Sequence, residues 1–342
     1  MIVAHAHVRP RGVPRLWGLC AVVFLVVALL VGLGVGSIGI APWRIAQSAL
    51  SHLPLLHVRQ PLSPVEDAIV WQVRAPRVVL AALVGGMLAI AGSSYQGVFR
   101  NPLVDPYLLG VAGGAGLGAT LVIAYAGDNA QLVPPAAFVG GAIAVVVAYA
   151  LGARSRSSTS LVLAGVTVAT FTAAVQTFVQ QQHSDQLRNV YTWLLGGFST
   201  ATWHDVGVAA PYIAVSSLVL LLHRRVLDVL SLGDEEAAAL GVDVRRVRLV
   251  IVVAATLGTA AAVAVSGLIV FVGIIVPHVL RLLVSTSYRA VVPLSLLVGG
   301  GFLALTDVLA RTVLSPQELP IGVITAFFGA PFFAFVLRNV RR

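Results

Sequence analysis

The chain has 342 residues, of which 58% are hydrophobic and only 10% charged, with a mean hydropathy of +0.95 and a formal charge of +9. That balance excludes a soluble globular domain, which needs far more polar surface. All 22 basic residues are arginine. Without lysine there is no ordinary phosphate-binding ATPase loop and no Schiff-base chemistry. The single Cys20 excludes an internal disulfide and a Cys-rich metal site.

Apolar runs long enough for a bilayer core of about 30 Å recur throughout. In chain order, ten spans are expected at 17–38, 78–97, 107–126, 134–152, 160–180, 204–222, 248–268, 271–285, 291–312 and 321–338. They form a single transmembrane domain over 1–342, with a tail at 1–16. Arg9, Arg11 and Arg15 precede the first run, which reads as an uncleaved span. VRAPR (73–77) places Arg74 and Arg77 three residues apart at the entrance of span two. GVAGGAGLGA (110–119), VGGA (139–142) and VGGGF (298–302) predict helices that approach closely. The loop SRSSTS (155–160) is small and hydroxyl-rich, and 181–203 reads as a short interfacial helix carrying Tyr191 and Trp193.

The stretch SLGDEEAAALGVDVRRVR (231–248) carries seven of the chain's 35 charged side chains, 22 basic plus 13 acidic. It predicts a helix of about two turns. Asp234 is its expected N-cap, and Glu235 and Glu236 favour the positive helix N-terminus. Ala237, Ala238 and Ala239 are strong helix formers, and Gly241 suits the left-handed stop. So short a helix is marginal alone, and Leu232, Leu240 and Val242 offer it an apolar face.

The eighth span is short and contains Pro277. His183, His204 and His278 lie far apart without carboxylates at ligand spacing, so hydrogen bonding is expected of them rather than metal binding. Asp307 is the one acidic residue well inside a span. It precedes Arg311 by four residues, the spacing of a local salt bridge. The other reading of Arg311 is a basic rim, shared with Arg74 and Arg77, that receives an acidic partner.

Arginine bias predicts the orientation. With the N-terminus inside, sixteen arginines fall in inner segments and six in outer ones. Both termini and the 231–242 element are therefore expected in the cytoplasm. An internal echo supports the span order: GGMLAIAGSSYQGVFR (85–100) aligns without gaps to SGLIVFVGIIVPHVLR (266–281), pairing Gly92 with Gly273 and Arg100 with Arg281.

Several of these stretches together resemble the FecCD-type permeases of ATP-binding-cassette importers for ferric siderophores, haem and vitamin B12. They are VRAPR, GSSYQGVFRNPLVDPYLLG (92–110), LVLAG (161–165), WLLGGFS (193–199), GDEEAAALGV (233–242), GLIVFVGIIVPHVLR (267–281) and ELPIGVITAFFGAPFF (318–333). STSYR (285–289) departs from the family pattern at one inner loop. The resemblance covers roughly 20 to 338 and implies an all-α, BtuC-like type II importer fold of about ten helices. It implies that Leu232, Gly233, Asp234, Glu235, Glu236, Ala237, Ala238, Leu240 and Gly241 form a coupling helix docking on a separate ATPase. It also implies binding-protein docking at Arg74, Arg77 and Arg311, and a cytoplasmic gate at Ser157, Ser158, Thr159 and Ser160.

The implied partners are a second copy or close paralogue, two ATPase subunits, an extracytoplasmic substrate-binding protein and membrane lipid, with no nucleic acid. ATP and magnesium would belong to the ATPase, leaving this chain without cofactor, metal or catalytic residues. The expected place is a bacterial inner membrane. Ferric siderophore is the first expected cargo, then cobalamin, then haem. An ion-coupled secondary transporter would rest on Asp307.

Overall fold

The computed structural model describes residues 12–36, 38–51, 60–126, 129–152 and 158–340. Among them every regular element is helical. Seven helices are long and apolar enough to cross a membrane, and three shorter apolar helices, at 111–125, 272–283 and 321–334, accompany them. The ten expected spans all have a helical counterpart.

Helix α1 (Arg15–Gly34) leaves Leu16, Leu19, Val22, Val23, Val26 and Val27 exposed, as a lipid-facing span would. Helix α2 (Pro42–Ser51) was not anticipated. Helix α3 (Pro64–Ala68) starts at a capping box between Ser63 and Glu66, with Pro64 in the first turn. Arg44 clamps the two, with both guanidinium nitrogens 2.8 Å from the Glu66 carboxylate. From α3 the chain runs through a π turn (Ile69–Arg74) into α4 (Ala75–Phe99). Span two is thus the end of a helical stretch of 36 residues.

Nearly every residue of α4 is buried, which makes it the central post. Helices α5 (Val111–Tyr125), α6 (Val133–Gly152) and α7 (Ser158–Gln182) pack on one another beside it. Small residues set their spacing: a methyl group on Gly114 would collide with the Gly140 carbonyl. Helix α8 (Leu187–Leu194) lies where the short interfacial helix was expected. Helix α9 (Trp203–Leu230) begins with a second capping box, Thr202 and Asp205. Then come α10 (Asp234–Ala239), α11 (Val244–Ser266), α12 (Val272–Leu283), α13 (Tyr288–Thr312) and α14 (Ile321–Val340). Helices α9, α11, α12 and α13 surround α4.

The eighth span is the continuous helix α12, and the break lies at its junction with the seventh. Residues 267–271 are not helical, and Gly267 and Phe271 have φ of 68° and 70°. The twelve-residue α12 covers about 18 Å, short of a bilayer core of about 30 Å, and the irregular residues 267–271 precede it. Such backbone is tolerated in a membrane only when buried in protein. Here the Tyr107 hydroxyl donates to the Ile269 carbonyl at 2.9 Å and accepts the Ile269 N–H at 3.2 Å.

The internal echo is a physical contact. A methyl on Gly92 would collide with Gly273, its own match. Gln96 donates to the Gly273 carbonyl at 3.0 Å and accepts from Arg281 at 2.6 Å. The two segments nevertheless differ in form, one a continuous helix and the other broken.

Candidate functional site

The two ends of α4, about 37 Å apart for 25 residues, carry the charged groups singled out in the sequence.

At its C-terminal end stands α10. Its stop is a Schellman motif: Gly241 has φ 82°, its N–H donates to Ala238 at 2.9 Å, and the Val242 N–H donates to Ala237 at 3.0 Å. Its start corrects the expectation. Gly233, with φ 143°, is the N-cap, and Asp234 is the first helical residue. The Asp234 carboxylate accepts two bonds from Arg248, at 2.9 and 3.0 Å, and lies 3.5 Å from Arg100. Arg100 ends α4 in the left-handed conformation, with φ 50°.

Ala237 is the only buried residue of α10. Burying its methyl contributes about 1 kcal/mol. A half-exposed pair such as Asp234–Arg248 contributes about 0–1 kcal/mol. Two small terms of similar size therefore hold this helix. Leu232 and Leu240 are 63% and 65% exposed, and Glu235, Ala238 and Ala239 are exposed beside them. Of the apolar face anticipated for a partner, Leu232 and Leu240 are open in the single chain, whereas Val242 is partly buried against the core.

The neighbouring turn is tied more firmly. Asp228, near the end of α9, accepts from Ser287 Oγ at 2.7 Å and from the Tyr288 N–H at 2.6 Å. A carboxylate there meets the positive N-terminus of α13. Gate candidate Ser157 lies outside the described residues. Ser158, Thr159 and Ser160 form the first turn of α7, and α7 starts at the same end of the bundle, two crossings after α4 ends there.

At the opposite end, Arg74, Arg77 and Arg311 come together, as grouped from the sequence, but buried rather than as an open rim. Arg74 and Arg77 are 5% and 8% exposed. Arg77 places Nε 3.0 Å from both Asp307 oxygens and Nη2 2.8 Å from one of them. Its outer edge grips Glu318 at 2.9 and 3.0 Å. Asp307 has no exposure and also lies 3.8 Å from Arg311, the anticipated i,i+4 partner. Arg74 donates to the carbonyls of Leu33, Gly34 and Ile38 at 2.9, 3.3 and 2.6 Å, and Arg311 donates to the Gly32 carbonyl. Arg74 at Leu33 and Arg311 at Gly32 thus satisfy orphan carbonyls at the C-terminal end of α1, whereas Gly34 already accepts the Ile40 N–H at 2.9 Å. Asp307, the candidate ion-coupling group, is neutralised by its own chain. Sequence reasoning missed Arg77 as its main partner, 230 residues away.

Between the ends, α7 exposes Thr167, Thr170 and Thr177 among Leu163, Val166, Phe171 and Phe178. Each hydroxyl donates back to the carbonyl four residues earlier, at 2.8 to 2.9 Å. This stripe is polar yet internally satisfied. Among the described residues no cluster of His, Cys, Asp or Glu forms a metal site. A His183 ring nitrogen lies 3.3 Å from the Val179 carbonyl, and His278 meets Phe332 edge-on. In the loop after α4, Asp105 accepts the Tyr107 N–H at 2.9 Å, and burial pushes its pKa up to about 6.

The model of the FecCD transport family matches residues 24–339. The cobalamin import permease BtuC of Halobacterium salinarum is 42% identical over 80% of this chain and 74% of its own length. The molybdate import permease MolB of Haemophilus influenzae is 33% identical over 98% of both chains. The hemin transport permease HmuU of Yersinia pestis is 36% identical over 80% of this chain and 84% of its own. A solved ABC transporter assigned to the metal-chelate type, described in an inward-facing conformation, superposes with a TM-score of 0.84 at 30% identity. It covers 95% of this chain, which covers 99% of it.

Proposed function

Because the chain belongs to the FecCD transport family, as a multi-pass permease subunit of an ABC importer of the metal-chelate class, we propose that α10 is its coupling element to a separate ATPase. The observation that carries this reading is the open apolar face of Leu232, Ala238 and Leu240 on a helix with almost no packing of its own. ATP and magnesium are bound by the ATPase. The α10 end and both termini face the cytoplasm of a bacterial cell, and the arginine cluster faces outward, in line with the arginine count. A second copy or close paralogue completes the transporter. The satisfied threonine stripe of α7 suits a path that passes cargo without holding it.

An extracytoplasmic binding protein docks at the outward end. The buried state of Arg74, Arg77 and Arg311 assigns them to shaping that end from within, with half-exposed Glu318 at the edge of the network. Ser158, Thr159 and Ser160, in the first turn of α7, are read as the cytoplasmic gate.

Ferric siderophore is the first cargo to test. Cobalamin is the second, favoured by the 42% identical relative. An ion-coupled transporter is disfavoured because its one intramembrane acid is already paired with Arg77.

The test is a pull-down from native membranes, comparing wild type with a chain whose residues 233–241 are a Gly/Ser linker. An ATP-binding protein that copurifies with wild type alone supports the reading. Its absence from both, under conditions that preserve the complex, overturns it. Uptake of radiolabelled ferric siderophore and cobalamin into proteoliposomes then separates the cargoes.

A further inference from the structure

We infer that Asp234, Arg248 and Arg100 form a tie that fixes the pose of α10 against α4 and α11. Asp234 is then a positioning residue and not a contact for the partner. Its consequence for transport rests on the coupling role proposed above. The tie itself is a property of this chain alone.

Three observations converge. First, both junctions of α10 are glycines with positive φ, Gly233 at 143° and Gly241 at 82°. The short helix is set off from its neighbours at each end by a turn that favours glycine. Second, its only buried residue is Ala237. One methyl group fixes where the helix sits but resists rotation weakly. Third, the Asp234 carboxylate does not cap its own helix. It reaches across to Arg248, one turn into α11, at 2.9 and 3.0 Å, and to Arg100, at the very end of α4, at 3.5 Å. A carboxylate at the first helical position has backbone N–H groups within reach. Here it binds two guanidinium groups on two different spans instead.

The consequence is directional. Glu235, Ala238 and Leu240 face outward, available to a partner. Asp234 joins that surface to the ends of α4 and α11. Rotation of α10 by a partner therefore pulls on both spans through one carboxylate.

The tie is tested on the purified permease in lipid nanodiscs, without ATPase or cargo. In a Cys20→Ser background, spin labels at Ala239 on α10 and Val253 on α11, both exposed, report the width of the distance distribution. Wild type should give one narrow peak. Asp234→Asn should broaden it about two-fold or more, given charge-assisted bonds lost from a helix with one buried residue. Asp234→Glu should restore it. Arg248→Gln should match Asp234→Asn, with little added by the double variant, and Arg100→Gln should do less. An unchanged width in Asp234→Asn overturns the tie.

A second measurement uses the assembled transporter in proteoliposomes. Asp234→Asn should copurify with its ATPase as wild type does, yet hydrolyse up to about five-fold more ATP per cargo molecule moved, the most that a pair worth about 1 kcal/mol supplies. Loss of the ATPase with the narrow peak intact would make Asp234 a direct contact and overturn the proposal. If even wild type recovers no ATPase while the width results hold, the coupling role fails and the tie stands.

Discussion

Two Asp–Arg pairs mark the two ends of α4, and they are nearly identical in length. Asp307–Arg77 measures 2.8 Å and Asp234–Arg248 measures 2.9 Å. Their surroundings differ completely: the Asp307 side chain has no exposure, and the Asp234 side chain is 41% exposed. Distance alone therefore says little about what a pair does. Buried partners cannot separate without stranding a charge in apolar surroundings. Half-exposed partners exchange with water at little cost. One end of the post is locked and the other is adjustable.

The largest effect should come from breaking the lock. Asp307→Ala leaves Arg77 with Glu318 alone and Arg311 without its carboxylate partner, and should destabilise the chain by about 3 kcal/mol, read as a lower thermal midpoint in detergent. The double variant Asp307→Leu with Arg77→Leu should recover much of that loss. If the single variant melts like wild type, the locked end is not locked.

A third carboxylate sharpens the contrast. Asp105 has its pKa pushed up to about 6 by burial, opposed by the Tyr107 N–H. Below about pH 4 it is protonated folded or unfolded, and burial costs nothing. Between about 4 and 6 the unfolded chain ionises while the folded chain holds its proton, so stability falls as pH rises through that window. The drop amounts to about 2–3 kcal/mol, and Asp105→Asn should flatten it in a melting series from pH 4 to 7.

Glu318→Gln removes the half-exposed second carboxylate from Arg77 while leaving Asp307 in place. About 1 kcal/mol should be lost, and an effect as large as that of Asp307→Ala would erase the distinction drawn between them. Smallest of all, Asp234→Asn should shift the thermal midpoint by the equivalent of less than about 1 kcal/mol. Its consequence belongs to pose and coupling rather than to stability.

Much of this was legible in the residues. Apolar runs mark the spans because the bilayer imposes their length, and the stop of α10 was readable because Gly241 suits a left-handed turn. The start was misread: Asp234 looks like a cap, and only folding brings Arg100 and Arg248 close enough to claim its carboxylate. Asp307 suggested Arg311, its neighbour by helical spacing, whereas its main partner lies 230 residues away. Local periodicity carries no information about such a pair. The break at GLIVF (267–271) falls where expected spans seven and eight meet, and composition cannot distinguish buried irregular chain from buried helix there. The deciding partner, the Tyr107 hydroxyl, lies 162 residues earlier. The two arginines of VRAPR do meet Arg311 at one place. Arg74 and Arg311 are buried on the terminal carbonyls of α1, and Arg77 on Asp307 and Glu318.

The broken crossing at 267–283 has a mechanical meaning. A helix behaves as a rod and transmits a push as well as a pull. An irregular segment has no such stiffness of its own and depends on what packs around it. Displacement arriving at Arg281 can travel up α12 as far as Phe271. Beyond that residue five irregular residues interrupt the rod, gripped where Tyr107 bonds Ile269 and where Gly267 lies against the Trp193 carbonyl. Helix α4, continuous beside it, has no such break. One neighbour can carry motion from end to end while the other can stop it halfway.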